Sequence, residues 1–191
     1  MKKTVLFDLE YTSWKGSQKR RWGGPHEQRR IIQIGAIKIN ERLEEISSFT
    51  TIIQPGIRLS EYVQSLTGIT QKDVDGKGIS FRKALKSFLE FIDGDTAWSY
   101  GVDMMIIGEN IAYEGCEELL PTTSFQSIRT YLQNSYPKLE SVVSGDLANA
   151  CGITLDGHKH NALYDVRSIL HCIRYLQETN KAELSEVLFS L

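Results

Sequence analysis

The sequence is poor in cysteine. Its three, Cys116, Cys151 and Cys172, are odd in number and far apart, and none stands in a C-x-x-C pair. That spacing excludes the common zinc-ribbon pattern, gives no disulfide framework, and fits a reducing compartment. Long hydrophobic runs are also missing. Met1-Lys2-Lys3 opens like a secretory leader, but Asp8 breaks the apolar run almost at once. No stretch has the length of a membrane span, so no membrane partner is expected and a cytoplasmic location is. Nor is there an excess of one charge: 22 Lys and Arg against 24 Asp and Glu leave a net charge of −2. No global basic field advertises nucleic acid, so any such contact must be local. Repeats and low-complexity tracts are absent too. What remains is ordinary: 191 residues, 41% hydrophobic and 24% charged, the composition of one domain, residues 1–191, with enough chain for a real core.

The first half reads as strands. Thr4–Leu9 is an apolar strand, followed by a polar, cation-rich loop over Tyr11–Arg30. Ile31–Ile39 and Ile46–Gln54 are two more strands joined by a short turn, and Pro55-Gly56 ends the second. A short helix is expected around Ser60–Leu66, and Thr70-Gln71-Lys72-Asp73 has the form of a capping box. Ser80 caps the clearest helix, with Phe81, Ala84, Leu85, Phe88, Leu89 and Ile92 on one face before Asp93-Gly94. Thr96–Tyr100 is a short strand, and Asp103 opens a helix of roughly three turns to Tyr113. Helices are expected over Pro121–Tyr136 and over Leu139–Cys151, the latter ended by Gly152. Asn161 caps a long helix to about Glu178, striped by Leu163, Val166, Ile169, Leu170, Ile173 and Leu176. Ala182–Leu191 forms a terminal amphipathic piece. Strands first, then strand alternating with helix, predict an α/β fold: a mixed sheet with helices on its faces.

Chemistry concentrates at four acids and a histidine. Asp8 and Glu10 are two residues apart in a strand, so they point the same way and offer oxygen ligands side by side. That suits a hard cation such as Mg²⁺; an edge strand ending in a solvated acidic turn would look the same. Asp103 follows a strand end and opens a helix, which capping alone would also explain. His160 and Asp165 flank the start of the last long helix, with Ala162 leaving room for close approach. A first-turn acid favoured by the helix dipole is the plainer account of Asp165. The loop after Glu10 carries Lys15, Lys19, Arg20, Arg21, Arg29 and Arg30, with Trp14 and Trp22 among them. Such cations can take phosphates while an indole stacks on a base, or they can serve solubility only.

Together these positions resemble the DEDD exonuclease superfamily, the DnaQ-like proofreading and RNA-trimming nucleases. Asp8-Leu9-Glu10 matches its D-x-E motif, Asp103 its mid-chain Asp, and His160, Ala162 and Asp165 the H-x-A-x-x-D motif of the histidine (DEDDh) subclass. The tyrosine subclass would need Tyr where Asn161 stands. Ile32-Gln33-Ile34-Gly35-Ala36 and Leu66-Thr67-Gly68-Ile69-Thr70 also look like family landmarks, and the stand-alone histone-mRNA and small-RNA trimming enzymes are the most similar type. The segment after Asp103 departs from the family's usual apolar positions, and the loop after Glu10 is long and basic. The resemblance implies a ribonuclease H-like mixed five-stranded sheet, its first three strands antiparallel and the rest parallel. It implies two Mg²⁺ or Mn²⁺ ions per site: Asp8 bridging both, Glu10 and Asp165 completing one site, Asp103 holding the second. His160 becomes the general base on water. A 3′–5′ exonuclease acting on single-stranded RNA or DNA, releasing 5′-mononucleotides, is the expectation, with Leu9, Trp14, Arg20, Arg21, Trp22 and Ala162 touching substrate. A proofreading subunit of a polymerase and a non-catalytic nucleic-acid-binding module are the alternatives. A module without catalysis has no need of all five chemical positions. The oligomeric state is left open, a homodimer included.

Overall fold

Alternation along the first strand decides how the layers assemble. In the computed structural model, which describes residues 2–179 and 183–190, β1 (Lys3–Tyr11) is buried on both faces from Thr4 to Glu10. Val5, Phe7 and Leu9 face one layer of helices; Leu6, and with it Asp8 and Glu10, face the other. β2 (Ile31–Asn40) pairs antiparallel with β1, setting Asp8 opposite Gly35 and Glu10 opposite Gln33. β3 (Glu45–Ile52) pairs antiparallel with β2. β4 (Ala97–Ser99) runs parallel to β1 on its other side, and β5 (Phe125–Ser127) parallel to β4. The sheet is therefore five-stranded and mixed, in the order β3-β2-β1-β4-β5.

The helices take up the two faces. After a short α1 (Ser17–Arg20) inside the long loop come α2 (Glu61–Thr67) and α3 (Gln71–Lys77). The capping box joins the Thr70 hydroxyl to the Asp73 amide and the Asp73 carboxylate to the Thr70 amide. α4 (Phe81–Ile92), capped by Ser80, lays Phe81, Ala84, Leu85, Phe88 and Ile92 on the Phe7 face, joined there by Ile106, Ile107 and Ile111 of α5 (Asp103–Glu114). α6 (Arg129–Ser135), α7 (Leu147–Ala150), α8 (Ala162–Glu178) and α9 (Leu184–Phe189) cover the Leu6 face. The Asn161 side chain accepts from the Tyr164 amide at the start of α8. Val166, Ile169, Leu170, Ile173 and Leu176 are buried there, each contributing about 1.5–3 kcal/mol. Ala182 and Leu191 lie outside the described residues. Among the described residues no helix is long and apolar enough to cross a membrane.

Two expected helices are corrected. Over Pro121–Tyr136 the chain first forms β5 and only then α6. Phe125 pairs with Ala97, and its ring meets Phe7 edge-on at 5.5 Å. Sheet pairing and that aromatic contact outweigh local helical preference. Over Leu139–Cys151 the chain forms two 3₁₀ turns, Pro137–Leu139 and Ser144–Asp146, before the four-residue α7. A side chain at Gly145 would come within 2.5 Å of the Asp165 carboxylate, so this segment is shaped by what it faces.

Candidate active site in an acidic cleft

The parallel pairing of β1 with β4 puts both strand ends at one edge of the sheet. The chain leaving β4 turns through Tyr100-Gly101-Val102, and α5 opens with Asp103 beside the end of β1. From the other side, α8 comes in over β2 because Gly35 has no side chain. A Cβ there would sit 2.4 Å from the Leu163 nitrogen and 2.9 Å from the Ala162 Cβ. Gln33 Oε1 accepts from the Ala162 amide at 3.0 Å and fixes the helix start. Asp165, one turn on, then faces Asp8 and Glu10.

All four acids are nearly buried: Asp8 and Glu10 are 7% exposed, Asp103 6% and Asp165 3%. Among the described residues none of them forms a salt bridge. Their partners are neutral donors. Asp103 Oδ2 accepts from the Gly101 amide at 3.1 Å, and the Leu9 amide also serves Asp103. Asp165 accepts from the His160 amide at 3.1 Å and from the Ser144 hydroxyl at 3.2 Å. Burial, then the charges of Asp103, Asp165 and Glu10, push the Asp8 carboxyl well above its ordinary range. Burial followed by Asp165 and Asp103 does the same to Glu10. Asp103 and Asp165 are each raised to about 6, chiefly by burial. Four converging carboxylates without a cation are an unfavourable arrangement that a divalent metal would relieve.

His160 stands at the rim, half-buried, in a left-handed backbone conformation with φ of 65°. Burial and the neighbouring Lys159 lower its imidazole pKa, which favours the uncharged ring. Glu10, His160 and Asp165 each bring a ligating atom within 4.8 Å of the others. The donor set is thus oxygen-rich with one imidazole at its edge, which suits a hard divalent cation and a proton acceptor beside it.

These residues line an open cleft of about 770 Å³. Leu9, Trp14 and Trp22 line it as well. The Leu9 side chain belongs to the core layer on the opposite face of the sheet from Asp8 and Glu10. The Trp22 ring lies 5.7 Å from Tyr11 and under the Arg29 guanidinium, and its Nε1 donates to the Thr12 carbonyl. Arg20 and Arg21 are not brought to the cleft: Arg20 pairs with Glu27 within the loop, and Arg21 is exposed at the end of α1. Ala162 is fully buried, so the close approach its small side chain permits is that of Gly35, not of a ligand. Asn110 of α5 ties the loop down, accepting from the Ile31 amide and donating to the Arg29 carbonyl. Arg29 pairs with Glu109 and Arg30 with Glu114. Lys19, one of the loop cations read from the sequence, also lines the cleft, and so do Tyr62, Leu66, Arg129 and the segment Ser141–Ser144, which had not been singled out for it. Ser144-Gly145 carried a signal, a turn-forming pair inside an expected helix; Arg129 carried none.

A family model described as "Exonuclease" matches residues 5–172. Among curated proteins, the chain is 27% identical over 182 residues to DNA polymerase III PolC-type of Clostridium perfringens, covering 94% of this chain and 12% of that protein. The corresponding protein of Streptococcus thermophilus is 32% identical over 166 residues, covering 86% and 10%. The chain thus spans about a tenth of the length of these relatives. Among solved structures, the nuclease domain of 3′hExo, a DEDDh family member bound to rAMP, superimposes with a TM-score of 0.73 at 23% identity, over 95% of this chain and 94% of that one.

Proposed function

The chain belongs to the exonuclease family whose model matches residues 5–172, and from that premise we propose that it is a DnaQ-like member of the histidine subclass that removes nucleotides singly from the 3′ end of single-stranded RNA or DNA. The observation that carries this is the convergence of Asp8, Glu10, Asp103 and Asp165, buried and paired with no basic side chain among the described residues, beside the His160 imidazole. Asp8, Glu10, Asp103 and Asp165 would hold two Mg²⁺ or Mn²⁺ ions. Bound there, the ions would supply Lewis-acid stabilisation of the attacking and leaving oxygens. His160 accepts the proton of the hydrolytic water, and its lowered pKa keeps it ready to do so. Trp14 offers an indole to the terminal base, and the Leu9 backbone borders the same nucleotide. Trp22, also on the cleft wall, is held by Tyr11 and Arg29.

The test is a ladder assay on end-labelled single strands of RNA and DNA, with Mg²⁺, Mn²⁺ or chelator. Shortening from the 3′ end, lost with chelator and in Asp8→Asn or Asp165→Asn, is expected. Shortening that survives either substitution would end the metal assignment. A second reading, proofreading for a polymerase, is favoured by the PolC-type relatives. It predicts faster removal of mismatched than matched 3′ termini on primed templates and co-purification with a polymerase.

A further inference from the structure

An acidic cleft repels the strand it must hold, so the cations along its walls decide where phosphates can rest. Apart from His160, three cationic residues line it: Lys19, Arg29 and Arg129. Arg29 is already paired with Glu109 through two of its nitrogens. Lys19 sits on the short α1 inside the loop. Lys19 is exposed and, among the described residues, forms no ion pair, so Arg129 differs from Arg29 in being free of a carboxylate and from Lys19 in resting on a fixed ring. Arg129 is the first residue of α6, it is exposed, and among the described residues it forms no ion pair. Its guanidinium lies over the Tyr100 ring, 5.3 Å from the centroid. That ring is fixed: Tyr100 is 3% exposed, its hydroxyl donates to the Leu139 carbonyl, and the Gln133 amide donates to the hydroxyl. Tyr100 in turn lies three residues before Asp103 on the same wall.

Stacking occupies the face of a guanidinium and leaves its edge, with the N–H donors, free. That edge matches the geometry of a phosphate oxygen pair. We propose that Arg129 is a substrate-binding residue that grips a backbone phosphate of the single strand on the 5′ side of the bond cleaved. The proposal rests on the exonuclease reading above. It gives the cleft a fixed phosphate anchor on the wall formed by Tyr100–Asp103, where the expected basic loop offers only Lys19, since Arg20, Arg29 and Arg30 are spent on Glu27, Glu109 and Glu114.

The experiment titrates a fluorescein-labelled oligothymidylate with the full chain, calcium replacing magnesium, over a range of salt. The variants are Arg129→Gln, Arg129→Lys and Arg129→Met, the last keeping an apolar stem on the Tyr100 ring. Loss of one phosphate contact should raise Kd about tenfold and reduce the slope of log Kd on log salt by about 0.7 in the Gln and Met variants. Arg129→Lys should keep the slope with an intermediate Kd. In magnesium, the ratio of kcat/KM on the strand to kcat/KM on thymidine 5′-(4-nitrophenyl phosphate) should fall in step with the binding loss. Wild-type Kd and slope in the Met variant would overturn the proposal. So would equal loss in the Lys variant accompanied by a lowered melting temperature, the mark of a structural role. Binding is read without turnover, so a wild type that binds strands but hydrolyses neither substrate refutes the nuclease reading while the slopes still judge Arg129. A wild type that binds no strand overturns both.

Discussion

A φ of 65° is uncommon for a histidine, and at His160 it is held by the bond from its own amide to Asp165. The residue that aims the imidazole is therefore one of the four acids, and the two functions are built as a unit. Replacing His160 by Asn, which tolerates this backbone, should cut the rate on single strands about a hundredfold or more. Divalent-ion binding by calorimetry should stay near the wild-type value. If calorimetry instead showed the ion lost, the ring's closeness to Glu10 and Asp165 would identify it as a ligand. At this scale the sequence was informative where roles depend on local spacing. Asp8 and Glu10 share a face because strand side chains alternate, and that is visible in three letters. Arg129 gave no sign of being a cleft residue, and the Ser144-Gly145 pair signalled only a turn. Their place depends on β5 and on the turn at Ser144–Asp146, both set by tertiary contacts.

Among the elements, α8 on β2 is the pairing that builds the site. It is possible because residue 35 has no side chain, and the gap filled by helix backbone there is tight. Gly35→Ala should push the start of α8 away from β2, moving Asp165 from Asp8. We expect a loss of about 1–3 kcal/mol in chemical denaturation together with weaker metal binding; wild-type behaviour in both would show that the helix is seated by other contacts. The helix itself was legible, since α4 and α8 carry long apolar stripes and side-chain caps at Ser80 and Asn161. Its partner was not, because no local pattern says which strand lies under a helix. β5 went unread for a related reason. Three residues are too few for alternation to show, and pairing with β4 creates the strand.

For the whole molecule, the site is a cost when empty. Asp103 and Asp165 have folded-state values near 6 against 3.8 ordinarily. A raised acid binds its proton more tightly in the folded state. Its stabilising share is complete below 3.8 and disappears as pH rises through about 6. Asp8 and Glu10 are raised as well and act in the same direction. Chelated protein should therefore melt at a lower temperature at about pH 7.5 than at about pH 5. Added Mg²⁺ should recover the difference, with a larger gain at the higher pH because only deprotonated carboxylates bind it. Melting curves in chelator and in Mg²⁺ read this directly; a chelated protein indifferent to pH would mean the four carboxyls do not share one environment.

The seam between the loop after Tyr11 and α5 has a mechanical side. Asn110, with the Arg29–Glu109 and Arg30–Glu114 pairs, rivets the last residues of that loop to the helix whose first residue is Asp103. Traction from a strand tugging on one lip of the groove is thereby delivered to the helix that carries the carboxylate on the far bank.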